Sequence, residues 1–351
     1  KLGGSHELYN MGHLYEATAA HYQATGRRNL LAVALKNADF LCETFGPGKL
    51  EKAPGHQVIE MGLVRLYRIT GEEKYLRLAK FFLDTRGPGE TSYHQSHEKP
   101  YNQSEAVGHA VRASYMYCGM ADVAALTGDE RYLHAIDRIW EDVVGRKLYL
   151  TGGIGATGQG EAFGEAYDLP NETAYCETCA AIGKVMWNHR VFLFHGDAKY
   201  IDVLERTLYN ALISGVSLGG DRFFYPNPLA SRGQHQRSPW FGCACCPGNI
   251  TRFMASVPGY IYAHADDRLY VNLFAEGEST VEMDGRAVTI TQETEYPWHG
   301  RVRLTVDPEP VGRFALRIRI PGWARGQVVP SDLYRYSRSE TQNVRLRVNG
   351  E

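Results

Sequence analysis

The sequence predicts a mainly α-helical protein, an α/α toroid over residues 1–264 followed by an antiparallel β-sandwich over residues 265–351. Helical hairpins recur through the first part with one grammar: an apolar-periodic helix, a glycine turn and a second helix that starts after a charged pair. From Arg268 onward, period-two alternation replaces the helical period. Near the end of the first part lies Gly242-Cys243-Ala244-Cys245-Cys246-Pro247-Gly248-Asn249, which holds three of the chain's seven cysteines.

The first hairpin runs from Gly12-His13 through a Thr25-Gly26 turn to residues 30–45. The second starts at Gly55-His56, turns at Thr70-Gly71 and continues over 75–83. Its apolar residues Leu63, Leu66, Leu76, Ala79 and Leu83 keep helical spacing. The third opens at Gly108-His109, turns at Thr127-Gly128 and continues over 132–143. A fourth covers 179–194, turns at His195-Gly196-Asp197 and ends near 212. In such a toroid the inner helices point their N-terminal ends at one pocket. His13, His56 and His109 are therefore expected to converge there. A single histidine would read as a helix cap, but three at corresponding places favour a functional role.

Residues 149–175 form a long polar insertion containing Thr151-Gly152-Gly153-Ile154-Gly155 and Gly158-Gln159-Gly160-Glu161. It lacks the Gly-Lys-Ser/Thr of a phosphate loop, so a nucleotide site is discounted. Long loops in compact domains usually carry function. After Arg222-Phe223-Phe224-Tyr225-Pro226, an extended aromatic stretch, comes the cysteine cluster, then one more helix over 249–262. Alternating runs at 269–274, 287–290, 302–306 and 314–320 read as strands, with turns at Asp284-Gly285 and His299-Gly300. The segment 325–339 reads as an insertion. The chain opens almost inside a helical pattern and stops at a hairpin turn, which reads as a barrel truncated at its N-terminus and a sandwich cut short.

Net charge is −2 and charged residues make up 22% of the chain, so nothing favours nucleic acid or an anionic membrane as partner. No apolar run approaches the roughly 20 residues of a membrane span. The odd cysteine count favours reduced thiols or metal ligands over a disulfide framework. The expected compartment is the cytoplasm, with the periplasm as alternative.

Thiolates and a carboxylate form a ligand set that zinc accepts. Glu177, Cys179, Cys245 and Cys246 are expected to close on one Zn2+. Cys245 and Cys246 point apart in a regular segment, so a tight turn at Pro247-Gly248 must bring them together. Glu177 and Cys179 belong at the frayed start of a helix. A lone cysteine packs as a small hydrophobe, which suits Cys42 and Cys118 but not three cysteines among Gly, Pro and Asn. A strained Cys245–Cys246 disulfide ranks below metal binding, and Cys176 and Cys243 are left unassigned. A metal-bound thiol is deprotonated and offers a nucleophile. Because the metal also dampens it, Cys245 must be held loosely or exchanged for substrate.

Taken together, Gly160-Glu161-Ala162-Phe163, Tyr167-Asp168-Leu169-Pro170-Asn171, Glu177-Thr178-Cys179 and Cys245-Cys246-Pro247 resemble glycoside hydrolase family 127, the β-L-arabinofuranosidases. Gly55-His56, Glu105-Ala106-Val107-Gly108-His109 and Arg222-Phe223-Phe224-Tyr225 fit the same family. The resemblance implies an (α/α)6 barrel followed by β-sandwich domains and retaining release of terminal β-L-arabinofuranose from plant-type arabino-oligosaccharides or glycoproteins. It implies Cys245 as nucleophile, Glu161 as acid/base and Glu177, Cys179, Cys245 and Cys246 as zinc ligands. His13, His56, His109 and Tyr225 resemble the sugar-contacting residues. As an acid, Glu161 is expected to have a raised pKa. The partners expected are a carbohydrate and a second copy of the chain. Three other readings compete. A zinc-stabilised sugar-binding protein without turnover would turn Glu161 away from Cys245. A hydrolase of a pectic deoxy or acidic sugar would place a cation, Arg112 or Arg232, in the pocket. An α/α-barrel epimerase or unsaturated-uronyl hydrolase would not need the cysteines.

Overall fold

The computed structural model describes residues 4–89, 91–283, 285–338 and 343–351. The helical part is built from the pairs α1 (Glu7–Thr25) and α2 (Asn29–Thr44), α3 (Ile59–Thr70) and α4 (Glu73–Thr85), α5 (Ala110–Thr127) and α6 (Glu130–Asp142), and α7 (Thr178–His195) and α8 (Ala198–Arg206), followed by α9 (Cys245–Met254). Helices α1, α3, α5, α7 and α9 pack each on the next, and each even-numbered helix packs on the outside of the odd one before it. This is the inner-and-outer arrangement of an α/α barrel.

Sequence composition separates the two rings. Every residue of α5 from Ala110 to Ala124 is buried, as an inner helix requires. Its outer partner α6 buries one stripe, Tyr132, Ala135, Ile136, Ile139 and Trp140, with Asp142 at its end. Each inner helix of the four pairs ends on a left-handed glycine: Gly26, Gly71, Gly128 and Gly196 donate their N–H groups to Tyr22, Tyr67, Ala124 and Phe192. The returning outer helices therefore lead into long loops, 86–109, 148–177 and 213–244, that gather where the inner helices begin. Helices α1 and α3 cross closely: a Cβ on Gly62 would lie 2.7 Å from the Gly12 carbonyl oxygen.

The C-terminal part holds two three-stranded sheets. One has the order β1 (Tyr262–Ala265), β2 (Arg268–Val271), β6 (Ala315–Ile318), and the other β3 (Gly277–Met283), β4 (Arg286–Thr294), β5 (Val302–Glu309). Leu269, Met283, Val288 and Ile290 form the core between them. Gln292 reaches across, donating to Tyr262 Oη (2.8 Å) and to the Leu273 carbonyl. Arg319, just past β6, locks this part onto the barrel. It donates to the Asn272 carbonyl (2.6 Å) and pairs with Asp202 (2.7 Å) and Glu205 on α8.

Several sequence expectations need correction. The helix expected over 249–262 is α9 followed by a 3-10 turn, Val257–Tyr260, and then β1, because Pro258-Gly259 cannot continue the helix. Strand β3 has no match among the alternating runs read from the sequence, because its inward row, Ser279, Val281 and Met283, carries only two apolar residues. The β2–β6 pairing is parallel, not antiparallel, because β3, β4 and β5 intervene between them. His13 lies inside α1 and not at its start. The segment expected to be an insertion begins in a 3-10 turn, Gly322–Arg325, and then folds back onto the barrel, where Tyr334 Oη donates to the Leu148 carbonyl (2.8 Å). Its last residue, Ser339, and Asp284 of the expected turn lie outside the described residues. Among the described residues no helix is long and apolar enough to cross a membrane.

Candidate active site

Four sulfur and oxygen ligands meet at the junction of α7 and α9. Glu177 is the N-cap residue of α7, and Cys179 is the second residue of that helix. Cys245 and Cys246 are the first two residues of α9, followed by Pro247. Backbone N–H groups at a helix N-terminus are unpaired within the helix and favour thiolate. The turn that gathers the two cysteines is thus the helix start itself, not a Pro247-Gly248 turn downstream. One ligand atom from each of Glu177, Cys179, Cys245 and Cys246 lies within 4.8 Å of the other three. Cys179 Sγ is 3.4 Å from Cys246 Sγ, and Cys245 Sγ is 3.9 Å from Cys246 Sγ, far beyond a disulfide bond. Glu177 Oε1 lies 3.6 Å from Cys245 Sγ, while its buried Oε2 has no hydrogen-bond partner.

That orphaned carboxylate oxygen beside three buried or half-buried thiols suits a cation. Such a group cannot stay charged in an apolar interior without a counter-ion. Burial pushes the pKa values of Glu177, Cys179 and Cys246 well up. Cys245 goes the other way. Hydrogen bonds from Cys179 and Cys246, and then from Tyr225, hold its thiol far below the usual range. Tyr225 Oη lies 3.1 Å from Cys245 Sγ. Cys245 is therefore the thiol that ionises first. Cys118 is fully buried in the barrel core, and Cys243 is exposed and lies beside Cys245 and Tyr225, outside the group of four.

Glu161 ends a short 3-10 turn, Gln159–Glu161, at a positive φ of 51°. The turn is pinned to the start of α5, where Phe163 donates its N–H to the Gly108 carbonyl (2.9 Å). Its carboxylate lies 2.8 Å from His109 Nε2 and accepts the Tyr175 hydroxyl at 2.8 Å. His109 also caps α5, its Nδ1 accepting the Val111 N–H at 3.2 Å. With Nδ1 accepting, Nε2 carries the hydrogen that goes to Glu161. The hydrogen bond from His109 is the main reason the Glu161 carboxyl is lowered, with Tyr175 adding to it against the effect of burial. The raised pKa expected from the sequence is overturned: two aimed donors outweigh partial burial. Donor atoms of His109, Glu161 and Glu177 lie within 4.8 Å of one another, so Glu177 belongs to both groups.

The remaining histidines form one wall. Ring centroids separate His56 from His109 by 5.7 Å, Tyr9 from His56 by 4.5 Å and Tyr9 from His13 by 4.3 Å. Burial lowers His13 to about 3 and His56 well below its usual value, so both imidazoles are neutral. The three histidines converge as the repeat predicted, although His13 arrives from within α1. Of the two cations considered for an acidic substrate, Arg112 is buried beside this wall. It donates to the Gly55 carbonyl and lies over the Tyr93 ring. Arg232 lies on the surface near Glu172. Sequence reasoning missed Tyr175, Tyr9, Asn249 and Arg252. Among 22 tyrosines neither Tyr9 nor Tyr175 stood out, although Tyr175 is two residues from Glu177. Asn249 and Arg252 follow Cys245 at helical spacing, a signal that was present and unused.

Residues 2–259 match the family model for the GH127 beta-L-arabinofuranosidase catalytic domain, and residues 268–351 match that for the GH127 middle domain. A non-reducing end beta-L-arabinofuranosidase of Bifidobacterium longum subsp. longum is 38% identical over 361 residues, covering 92% of this chain and 55% of the relative. A solved GH127 beta-arabinofuranosidase is 55% identical with a TM-score of 0.94, covering 99% of this chain and 57% of that one. A GH127 beta-L-arabinofuranosidase from Geobacillus stearothermophilus T6 is 46% identical with a TM-score of 0.89, covering 93% and 56%. The chain thus spans little more than half the length of these relatives.

Proposed function

This chain belongs to glycoside hydrolase family 127, and from that premise we propose that it carries the catalytic centre of a retaining exo-glycosidase that releases terminal β-L-arabinofuranose. The observation that carries the reading is the shared position of Glu177. Its Oε1 lies 3.6 Å from Cys245 Sγ, and its carboxylate also belongs with His109 and Glu161 to a group whose ligand atoms lie within 4.8 Å of one another. A nucleophile and a proton-transferring group a short gap apart are what double displacement requires.

In the proposed reaction the Cys245 thiolate attacks the anomeric carbon as the glycosidic C–O bond breaks. The leaving oxygen takes a proton from Glu161, whose protonated fraction the His109 and Tyr175 donors keep small in the free enzyme. Glu161, now a carboxylate, removes a proton from water, and the water oxygen attacks the anomeric carbon. The C–S bond breaks, and the electron pair returns to Cys245. His109 and Tyr175 orient the Glu161 carboxyl throughout, and the Tyr225 hydroxyl donates to Cys245 whenever it is thiolate. Glu177, Cys179, Cys245 and Cys246 would hold Zn2+, whose charge would keep the thiols ionised. His13, His56, His109 and Tyr225 would contact the sugar hydroxyls; the neutral imidazoles offer one donor and one acceptor each.

The direction of Glu161 toward Glu177 supports catalysis over a sugar-binding role without turnover. The division of the chain at 264/265, a homodimer and a cytoplasmic location belong to the same proposal; limited proteolysis, light scattering and fractionation test them. The decisive experiment assays Cys245→Ser and Glu161→Gln on an aryl β-L-arabinofuranoside while zinc content is measured. Loss of about 10²–10⁴-fold in rate is expected for Glu161→Gln with the metal retained. Full activity in both variants would refute the assignment.

A further inference from the structure

Helix α9 contributes more to the cluster than two ligands. Cys245, Asn249 and Arg252 stand at i, i+4 and i+7, along one face of the helix. Asn249 is buried and donates its side-chain N–H to Cys179 Sγ at 2.9 Å, so it ties the ligand of α7 to the helix that bears the other two thiols. Arg252 lies one turn further on. Its Nη2 donates to Tyr115 Oη at 3.3 Å, with the guanidinium 5.8 Å from the centre of that ring.

Charge makes this arrangement informative. Three thiolates and one carboxylate sum to −4, and a divalent cation leaves −2 in a largely buried site. An uncompensated buried charge is strongly destabilising. Among the described residues Arg252 has no carboxylate within ion-pair distance, whereas Glu16, whose field it also feels, lies 3.5 Å from Arg65. Burial works against the charge on Arg252, but Tyr115, Glu16, Tyr9 and Cys179 together hold it more firmly protonated.

We propose that Arg252 is the counter-charge of the thiolate centre and that Asn249 anchors Cys179 to it, so that one face of α9 supplies two ligands together with the positive potential that keeps four anionic ligands together. Both are positioning residues and do not touch substrate. The inference rests on the metal site proposed above and concerns how tightly the site holds its ion.

The test compares wild type with Arg252→Met, Arg252→Lys and Asn249→Asp in the full chain. Zinc affinity is read by competition with a chromogenic chelator, and thermal midpoints are taken with and without zinc. Partners that orient metal ligands are typically worth 10–100-fold in affinity. Arg252→Met and Asn249→Asp should weaken zinc by that factor, and Arg252→Lys should recover most of the loss. The zinc-dependent rise in midpoint should shrink in Arg252→Met, while the midpoint of the chelated protein stays that of wild type. Zinc held by Arg252→Met as tightly as by wild type overturns the proposal. So does an Arg252→Lys no better than Arg252→Met, since packing rather than charge would then be responsible. Should Arg252→Met fail to fold, Asn249→Asp alone decides by the same affinity measurement. A wild type that takes up no zinc overturns the metal site itself and this inference with it, an outcome distinct from an unaffected variant.

Discussion

Replacing Arg319 by Met should separate stability from catalysis. The Arg319 side chain is 2% exposed and bridges the small sheets to α8, with 11% and 5% exposure at Asp202 and Glu205. The substitution keeps most of the volume but removes every polar contact of the guanidinium. Asp202 and Glu205 then face each other across one helical turn, and among the described residues the exposed Arg325, 3.8 Å from Asp202, is the remaining cation in ion-pair range. Breaking a buried pair by removing one partner costs about 3–5 kcal/mol. An unfolding entropy of about 2.1 cal/mol/K per residue over 351 residues gives roughly 0.74 kcal/mol/K, so the loss corresponds to a fall of about 4–7 °C in Tm. Calorimetry or urea titration measures it. Adding Asp202→Asn and Glu205→Gln should restore most of the loss, because no unpaired charge then remains. Below the unfolding range kcat should be unchanged, since none of these residues belongs to the thiol cluster or the Glu161 group. A Tm within 1 °C or so of wild type, or a triple variant no better than the single one, would refute the reasoning.

The donors on Glu161 set its pH response. His109→Asn keeps an acceptor for the α5 cap but loses the donor to Glu161, so the carboxyl should rise and the alkaline limb of kcat/KM should move to higher pH. Tyr175→Phe should shift it the same way by less, and a limb moving to lower pH in either variant would contradict the assignment. Because the folded carboxyl is lowered, its contribution to stability is present above the unfolded pKa and fades as pH falls through the folded one, which acid titration of unfolding would detect. Gly62→Ala places a Cβ 2.7 Å from the Gly12 carbonyl oxygen and 3.1 Å from Tyr15 Cβ, so α1 and α3 must separate. Overpacking of about 1–3 kcal/mol, offset by about 1 kcal/mol of helix propensity, should lower stability and raise KM by moving His13 away from His56. Stripping divalent ions with a chelator should lower Tm, by about 2.7 kcal/mol of stability if the ion was present at 100 times its Kd; an unchanged melting curve argues against a bound ion.

The repeat of helix, glycine turn and helix was legible because each turn needs a left-handed residue at the same place, and Gly26, Gly71, Gly128 and Gly196 mark it. The grouping of Glu177, Cys179, Cys245 and Cys246 was legible because three cysteines within four residues, set among Gly, Pro and Asn, break the apolar spacing of an ordinary core helix. What was not legible depends on long-range placement. A raised pKa for Glu161 follows from its role, but His109 and Tyr175, 52 and 14 residues away in sequence, lower it. The β6 strand alternates plainly, yet nothing local tells it to pair in parallel with β2 across the intervening sheet. The helix start at Cys245 was hidden because Pro247-Gly248 reads equally well as a turn, although proline is also at home in the first turn of a helix.

The order of synthesis matters for the seam at Arg319. Asp202 and Glu205 leave the ribosome 117 and 114 residues ahead of the guanidinium that neutralises them. Likewise Cys179 emerges 67 residues before Cys246. A nascent barrel therefore waits, first for the other two thiols and then for the last strand of the small sheet, before either buried cluster is complete. Translation stopped before residue 319 would leave two acids on α8 without their counter-ion, so the C-terminal sheets complete a charge cluster that the barrel's outer ring leaves open.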